Sequence, residues 1–591
     1  MKNLTIALPA LLLLVSGCCL MRETYEEIPL WKDFSFAEQD PANRAFRFSK
    51  RRWKTKQWPS LVQVRQGSIR FYTQAGSGFQ LLFSLQNGGK GTVASRGRVV
   101  VESDYPSKST RTFEAMPGFN QIELPEFSGR VVRITFMADR WKGPLIWLNP
   151  VARTSLSSRD DQGSLPTGTV SDEPIKAAPQ NLLLVLFDAA SPFHLGCYGY
   201  SRSTSPNIDS VAKSGILWEN AISPAVYTRA AFPSIMTGLY PESHGVLSYT
   251  PRLQTKTNTM ARAFRSAGFE TAIFSSNPNA SIHEGNDYGF RHVANLWRKG
   301  PHPMDENPVM ADEFEEPFAD WLDQVRSRRF FAYLHIREPH WPYIAPADFQ
   351  SRFARESYAG NSDKEKADVA GYDSSLAFAD SQFGKILHHL DSLGLTDKTM
   401  IGITADHGEG LGQHNRWGHM FPVYEEQIRV PLIFRIPESG LKNVRLREAV
   451  ATIDLMPTVI DLFGLSRRHS AFDGISLLPV LRGATPPSRS LFAQAHQEKF
   501  HCIRSTEYKY IRSMEAGKER DELFLLNQDP QELQDRSRDF PILTSYLKKE
   551  LAKNLSAQRA FYAARKQKIE TKSVVDEQER EQLKALGYTD H

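Results

Sequence analysis

Two apolar runs, each ending in a carboxylate, constrain this chain more than any other feature. One is Asn181-Leu-Leu-Leu-Val-Leu-Phe-Asp188; the other is Thr399-Met-Ile-Gly-Ile-Thr-Ala-Asp406-His407. Neither alternates apolar with polar residues, so neither suits a strand with one wet face. Unbroken runs of this kind read as parallel strands covered on both faces. In open α/β sheets, ligands gather outside the carboxyl ends of such strands. Asp188, Asp406 and His407 are therefore expected at one sheet edge. Between the runs lies Thr228-Arg-Ala-Ala-Phe-Pro-Ser-Ile-Met-Thr-Gly238, a helix-forming stretch opened by a hydroxyl and closed by glycine. Two carboxylates, an imidazole and the Thr228 hydroxyl can hold a divalent metal, with Thr228 as both ligand and nucleophile.

The rest of the chain predicts several domains, since 591 residues exceed one ordinary core. Residues 35–153 carry short β-branched and aromatic segments, such as Phe79-Gln-Leu-Leu-Phe and Arg130-Val-Val-Arg-Ile-Thr-Phe, separated by turns such as Asn87-Gly-Gly. That spacing indicates an all-β, antiparallel sandwich. Trp53, Trp58, Trp141 and Trp147 suit either a sugar-stacking platform or core and interface packing. Residues 154–180 are rich in Ser, Asp, Gly and Pro and read as a linker. From 181 to 464 strands alternate with helices, including a long helix over 373–393, which argues for an α/β sandwich. Residues 465–551 suggest a small α+β subdomain, and 552–591 a charged, helical, peripheral tail.

The N-terminus points outside the cytoplasm. Met1-Lys-Asn precedes an apolar run through Leu14, too short to span a bilayer, and then Val15-Ser16-Gly17-Cys18. Residues 1–17 are expected to be a signal peptide. The junction resembles a bacterial lipobox, which makes Cys18 the lipidated first residue and a membrane anchor. An ordinary signal peptide with an incidental cysteine is the alternative. Cys19 rather than Asp at the next position favours the outer membrane, so the expected location is the cell envelope, at that membrane or in the periplasm. Beyond Cys18 and Cys19 the chain has only Cys197 and Cys502, which read as buried free thiols with no zinc-type spacing. A net charge of +5, with no basic stripe carrying interleaved aromatics, gives no argument for nucleic acid, and none is expected as a partner.

Further motifs follow one another in a specific order. They are Phe187-Asp188, Leu195-Gly-Cys-Tyr-Gly-Tyr, Ser205-Pro-Asn-Ile-Asp209, Pro233-Ser-Ile-Met-Thr-Gly, Glu338-Pro-His340-Trp-Pro-Tyr, Asp406-His407-Gly-Glu-Gly and Trp417-Gly-His419. Asp454-Leu-Met-Pro-Thr and Asp473-Gly-Ile-Ser-Leu continue the series. Together these resemble the sulfatase family of the alkaline phosphatase superfamily, over about residues 180 to 545. The resemblance implies an alkaline-phosphatase-like α/β sandwich with a mixed, mostly parallel sheet, and metal-dependent ester hydrolysis. It also implies that His340 and His419 contact substrate oxygens and protonate the leaving group. Asn277, following a strand, is a candidate donor to a non-bridging oxygen. His244 reads as structural.

The departures from the family pattern bear on the chemistry. Sulfatases carry at the Thr228 position a Cys or Ser that becomes formylglycine, and an Arg four residues later supports it. Here the residues are Thr228 and Phe232. Threonine cannot become formylglycine, so a plain alkoxide nucleophile is implied, as in the phosphodiesterase and phosphoethanolamine-transferase branches. Calcium-binding sulfatases resemble Asp-Asp and Asp-Asn at the two strand ends, whereas this chain has Asp188-Ala189 and Asp406-His407. Fewer oxygens and one imidazole favour Zn²⁺ or Mn²⁺ over Ca²⁺. No second ligand set stands out, with Asp380 and His335 left as open candidates. The expectation is a lipid-anchored hydrolase cleaving an anionic phosphate or sulfate ester, glycan- or lipid-linked, through metal-bound Thr228. A phosphoryl-group transferase acting on envelope lipid or glycan, and a carbohydrate-binding lipoprotein with a lapsed site, are the alternatives.

Overall fold

The computed structural model describes residues 25–565 apart from several internal stretches, the longest being 156–177 and 297–308. The signal segment, Cys18, Cys19, residues 566–591 and most of the expected linker lie outside the described residues. The chain divides into two compact units, Met1–Gln162 and Gly163–His591.

The first unit holds two antiparallel sheets of six and five strands. Its residues alternate, and the inward set forms one core. Phe83 and Trp147 come from the first sheet, Phe71 and Phe136 from the second. The Phe136 and Trp147 rings meet edge to face with centroids 5.0 Å apart, so the sheets pack face to face as a sandwich. Trp147 is fully buried. Its ring lies against Gly97, where a Cβ would come within 2.5 Å of it. Trp147 is therefore core and cannot stack on a sugar; the side chains of Trp53, Trp58 and Trp141 lie outside the described residues.

The second unit is built on an eight-stranded sheet. Its order is 292–295, 270–275, 330–336, 181–187, 399–404, 432–435, 216–222 and 444–451. All neighbours are parallel except Leu432–Arg435, which runs antiparallel to both of its partners. The central strands Asn181–Phe187, Phe330–Ile336 and Thr399–Thr404 are buried at every position, which their unbroken apolar sequences require. The helix expected over 373–393 is longer, Asp363–Ser392, because Ser362 and Glu365 form a reciprocal capping box ahead of it. Among the described residues no helix is long and apolar enough to cross a membrane.

A four-stranded antiparallel sheet, Leu491–Leu525, follows and carries helix Pro541–Arg565. That helix runs unbroken through position 552, where the sequence suggested a peripheral tail. It buries Leu551 and Leu555, and Arg559 donates to Glu242 at 2.7 Å. Tyr562 lies over Gly245, where any Cβ would collide at 2.2 Å. Docking against the catalytic unit, not intrinsic propensity, thus explains why the charged sequence is held there. Buried ion pairs join the two sheets' surroundings: Glu425 bonds Arg504 at 2.9 Å and Lys509 at 3.2 Å, and Lys509 reaches Glu532 at 2.9 Å. Cys197 and Cys502 are free thiols; Cys502 is buried and Cys197 only partly so.

Candidate active site

The strand order brings the expected residues to one edge. Asp188 follows the strand 181–187, Asn277 the strand 270–275, His340 the strand 330–336, and Asp406-His407 the strand 399–404. Thr228 is the first residue of helix Thr228–Thr237, which closes at Gly238 with φ +68°. Asp188, Thr228, Asp406 and His407 are all fully buried.

Hydrogen bonds fix which atoms face each other. The Nδ1 atom of His407 lies 2.9 Å from the Gly408 carbonyl. A carbonyl only accepts, so Nδ1 carries the proton and the neutral ring leaves Nε2 bare. That bare nitrogen is 3.4 Å from Thr228 Oγ1, 3.6 Å from Asp188 Oδ1 and 3.5 Å from Asp406 Oδ2. Those two carboxylate oxygens are buried and without a hydrogen-bond partner of ordinary geometry. A lone pair facing two unpartnered carboxylate oxygens is an arrangement that a divalent cation resolves. The other oxygens are occupied. Asp406 Oδ1 accepts from the amides of Ala189 and His407 at 3.2 and 3.0 Å. Asp188 Oδ2 accepts from His335 Nε2 at 3.1 Å and from Asn277 Nδ2 in a short contact. The donor set therefore fits a divalent metal ion.

The electrostatics agree with two unlike carboxylates. Burial works against ionisation of Asp188, yet His340, His335 and His407 hold its carboxyl far below the usual range. Asp406 is pushed up by burial and by Asp188, with His407, His335 and the Thr228 hydroxyl acting the other way.

Asn277 also donates to Thr228 Oγ1 at 3.3 Å, so it touches the hydroxyl as well as Asp188. The His340 ring is 4.7 Å from His419 and 6.4 Å from His407, and His419 is 4.3 Å from His407. Burial lowers His340 well below an ordinary imidazole. Burial acts the same way on His419, but Glu409, 3.4 Å away, outweighs it and raises the ring. All seven expected residues thus converge. His244 is a buried structural ring, bonded to Ser234 Oγ at 2.9 Å and accepting from Val246 N.

Three contributors were missed or left open by sequence reasoning. His335 joins the site through Asp188: one of its ring nitrogens and one oxygen each of Asp188 and Asp406 lie within 4.8 Å of one another, close enough for the three to share a metal ion. Its signal lay in the parallel register, which pairs His335 with Leu186, two residues before Asp188. Tyr333 and Glu409 gave no signal beyond their place in a motif or strand. Asp380, the other open candidate, lies elsewhere: its carboxylate caps the helix Pro206–Lys213 by accepting from the amides of Asn207 and Ile208 at 3.0 and 2.8 Å.

A mostly parallel sheet thus brings strand-end carboxylates around a helix-initial hydroxyl, an arrangement suited to ester hydrolysis. The chain carries a sulfatase-family domain. The family model Sulfatase matches residues 180–465, and N-sulphoglucosamine sulphohydrolase, C-terminal, matches residues 412–560. An ulvan-active sulfatase of Formosa agariphila is 24% identical over 405 residues, covering 62% of this chain and 78% of that one. An arylsulfatase of Clostridium perfringens is 24% identical over 463 residues, covering 65% and 95%. A solved phosphonate monoester hydrolase of Agrobacterium radiobacter shares the fold, with TM-score 0.53, 20% identity and coverage of 65% and 96%.

Proposed function

We propose that this chain is a metal-dependent hydrolase that cleaves a phosphoric or phosphonic ester, glycan- or lipid-linked, through the Thr228 hydroxyl. The observation that carries the reading is the convergence of Thr228 Oγ1, bare His407 Nε2 and the unpartnered oxygens of Asp188 and Asp406. Those four residues would hold the cation, Zn²⁺ or Mn²⁺ in preference to Ca²⁺. When bound, it lowers the pKa of the hydroxyl and screens the anionic substrate.

The chain's own residues supply the remaining steps. Asn277 holds the Thr228 oxygen and offers an amide donor beside it. The Thr228 oxygen, its proton released to solvent before the substrate binds, attacks phosphorus, and the bond from phosphorus to the leaving oxygen breaks. His419, kept protonated by Glu409, gives that oxygen its proton. His340 is neutral and acts as a hydrogen-bonding partner to the substrate. Water then attacks phosphorus, His419 takes its proton, and the phosphothreonine bond breaks to return the Thr228 oxygen in its deprotonated form. Phosphorus is favoured because phosphothreonine is hydrolysed at phosphorus. A sulfated threonine would be hard to release at sulfur. The names of the sulfatase relatives keep a sulfate ester as the second reading.

The test is metal content and turnover on one purified, signal-free preparation. Aryl phosphate mono- and diesters, an aryl phosphonate ester and an aryl sulfate are compared, with Thr228→Ala alongside. Zinc or manganese near one per chain, with phosphorus-ester cleavage lost in the variant, is expected. Turnover of the sulfate ester alone overturns the preference for phosphorus. The envelope location rests on the Val15-Ser16-Gly17-Cys18 junction; labelled palmitate should enter the native chain and not Cys18→Ala.

A further inference from the structure

We propose that His335, with Tyr333 behind it, is a positioning residue that turns Asp188 toward the cation, supplying from the neighbouring strand a polar support that the helix lacks at Phe232. This inference rests on the metal-centre reading above.

At position 232 the helix presents an aromatic ring. Phe232 is buried, and its ring packs 5.5 Å from Tyr333 and 4.9 Å from Tyr288. From Tyr333 a polar path leads to the metal edge. The Tyr333 hydroxyl is 3.1 Å from His335 Nδ1, and His335 Nε2 is 3.1 Å from Asp188 Oδ2. A carboxylate only accepts, so Nε2 carries the proton. In the neutral ring Nδ1 is then an acceptor and receives a hydrogen bond from the Tyr333 hydroxyl. Burial raises Tyr333 well above an ordinary phenol, so it remains a donor.

The direction of the path has a consequence. His335 and Asn277 both donate to Asp188 Oδ2, which leaves Oδ1 unpartnered and turned to His407 Nε2. His335 thus selects which oxygen is presented. Both of its nitrogens are used by Tyr333 and Asp188, so it acts through Asp188 and not as a ligand. Outer partners of this kind typically tune metal affinity by about 10–100-fold.

The experiment titrates the chelator-stripped full chain with Mn²⁺, following free ion by electron paramagnetic resonance, and melts each metal-free protein in parallel. His335→Phe should bind Mn²⁺ about 10–100-fold more weakly. His335→Gln, which keeps a donor, should recover most of that loss, and Tyr333→Phe should fall between. Each variant should bind one ion per chain and melt, metal-free, close to the original protein. Unchanged affinity in folded His335→Phe overturns the proposal, as does unchanged affinity in Tyr333→Phe should the phenylalanine variant at 335 fail to fold. Two ions in the original chain with one lost in His335→Phe would make His335 a ligand and also overturns it. An original chain that binds no ion refutes the metal-centre reading itself, and this inference falls with it.

Discussion

The Thr228 hydroxyl lies 3.4 Å from Nε2 of His407, with no proton on that nitrogen to bond it when the ring is neutral. The two residues are 179 apart in sequence. One opens a helix and the other ends a buried strand, so the sheet, not local chain geometry, makes them neighbours. Their contact places a buried hydroxyl beside a buried imidazole nitrogen.

If Thr228 is the nucleophile, its removal should cost more than binding. Thr228→Ala is expected to lower kcat/KM by about 10³-fold or more, while Thr228→Ser keeps most activity. Steady-state kinetics on an aryl phosphonate ester checks this. A loss seen only in KM would assign Thr228 to binding alone.

The Glu409–His419 pair predicts a pH signature. Glu409 raises the His419 pKa above the ordinary imidazole value against the effect of burial. An acid of that kind stays protonated past pH 6.5, so activity should fall on the alkaline side only above that value. Glu409→Gln removes the carboxylate, and the falling limb of the kcat profile should move to lower pH. A limb that stays in place would remove His419 from the role of acid.

Much of this arrangement was legible because buried parallel strands announce themselves. Asn181–Phe187 and Thr399–Thr404 are continuous apolar runs, and the polar residues that end them must lie at one edge. The reading missed what depends on lateral pairing. His335 sits inside a strand, and sequence alone cannot say whether that strand borders Asp188; the register supplies the answer. Leu432–Arg435 reads like its neighbours, and nothing in its four residues discloses that it runs antiparallel. Trp147 shows the opposite limit: an aromatic in a β-strand fits a ligand face and a core face equally until the second sheet is in place.

Lys509 is fully buried between Glu425 and Glu532. Lys509→Met leaves two carboxylates facing each other with Arg504 and the charge of Arg429 to offset them. The variant should lose about 3–5 kcal/mol, read from urea unfolding. A neutral result would mean that the two arginines satisfy the cluster.

His244 should contribute to acid lability. Burial depresses it to about 3, so the folded chain refuses a proton that the unfolded chain binds below 6.5. Stability is therefore lost as pH falls from 6.5 toward 3, by on the order of 4 kcal/mol at the lower end. His244→Gln should be somewhat less stable at pH 8 through its poorer hydrogen bonds, and flatter across that acid window. Equal slopes in guanidinium titrations at pH 8 and pH 4 would count against the assignment.

Ala189 turns out of the sheet with φ +59° and donates its amide to Asp406 Oδ1. Left-handed backbone of this kind costs a non-glycine residue about 1–2 kcal/mol, and asparagine and aspartate tolerate it best. The chain thus keeps a bend suited to a carboxylate while carrying a methyl group there. Gaining or losing an oxygen donor at this point asks nothing of the backbone. Over evolutionary time, ion preference on such a frame can change through single side chains, and related chains whose strands superimpose can come to depend on different metals.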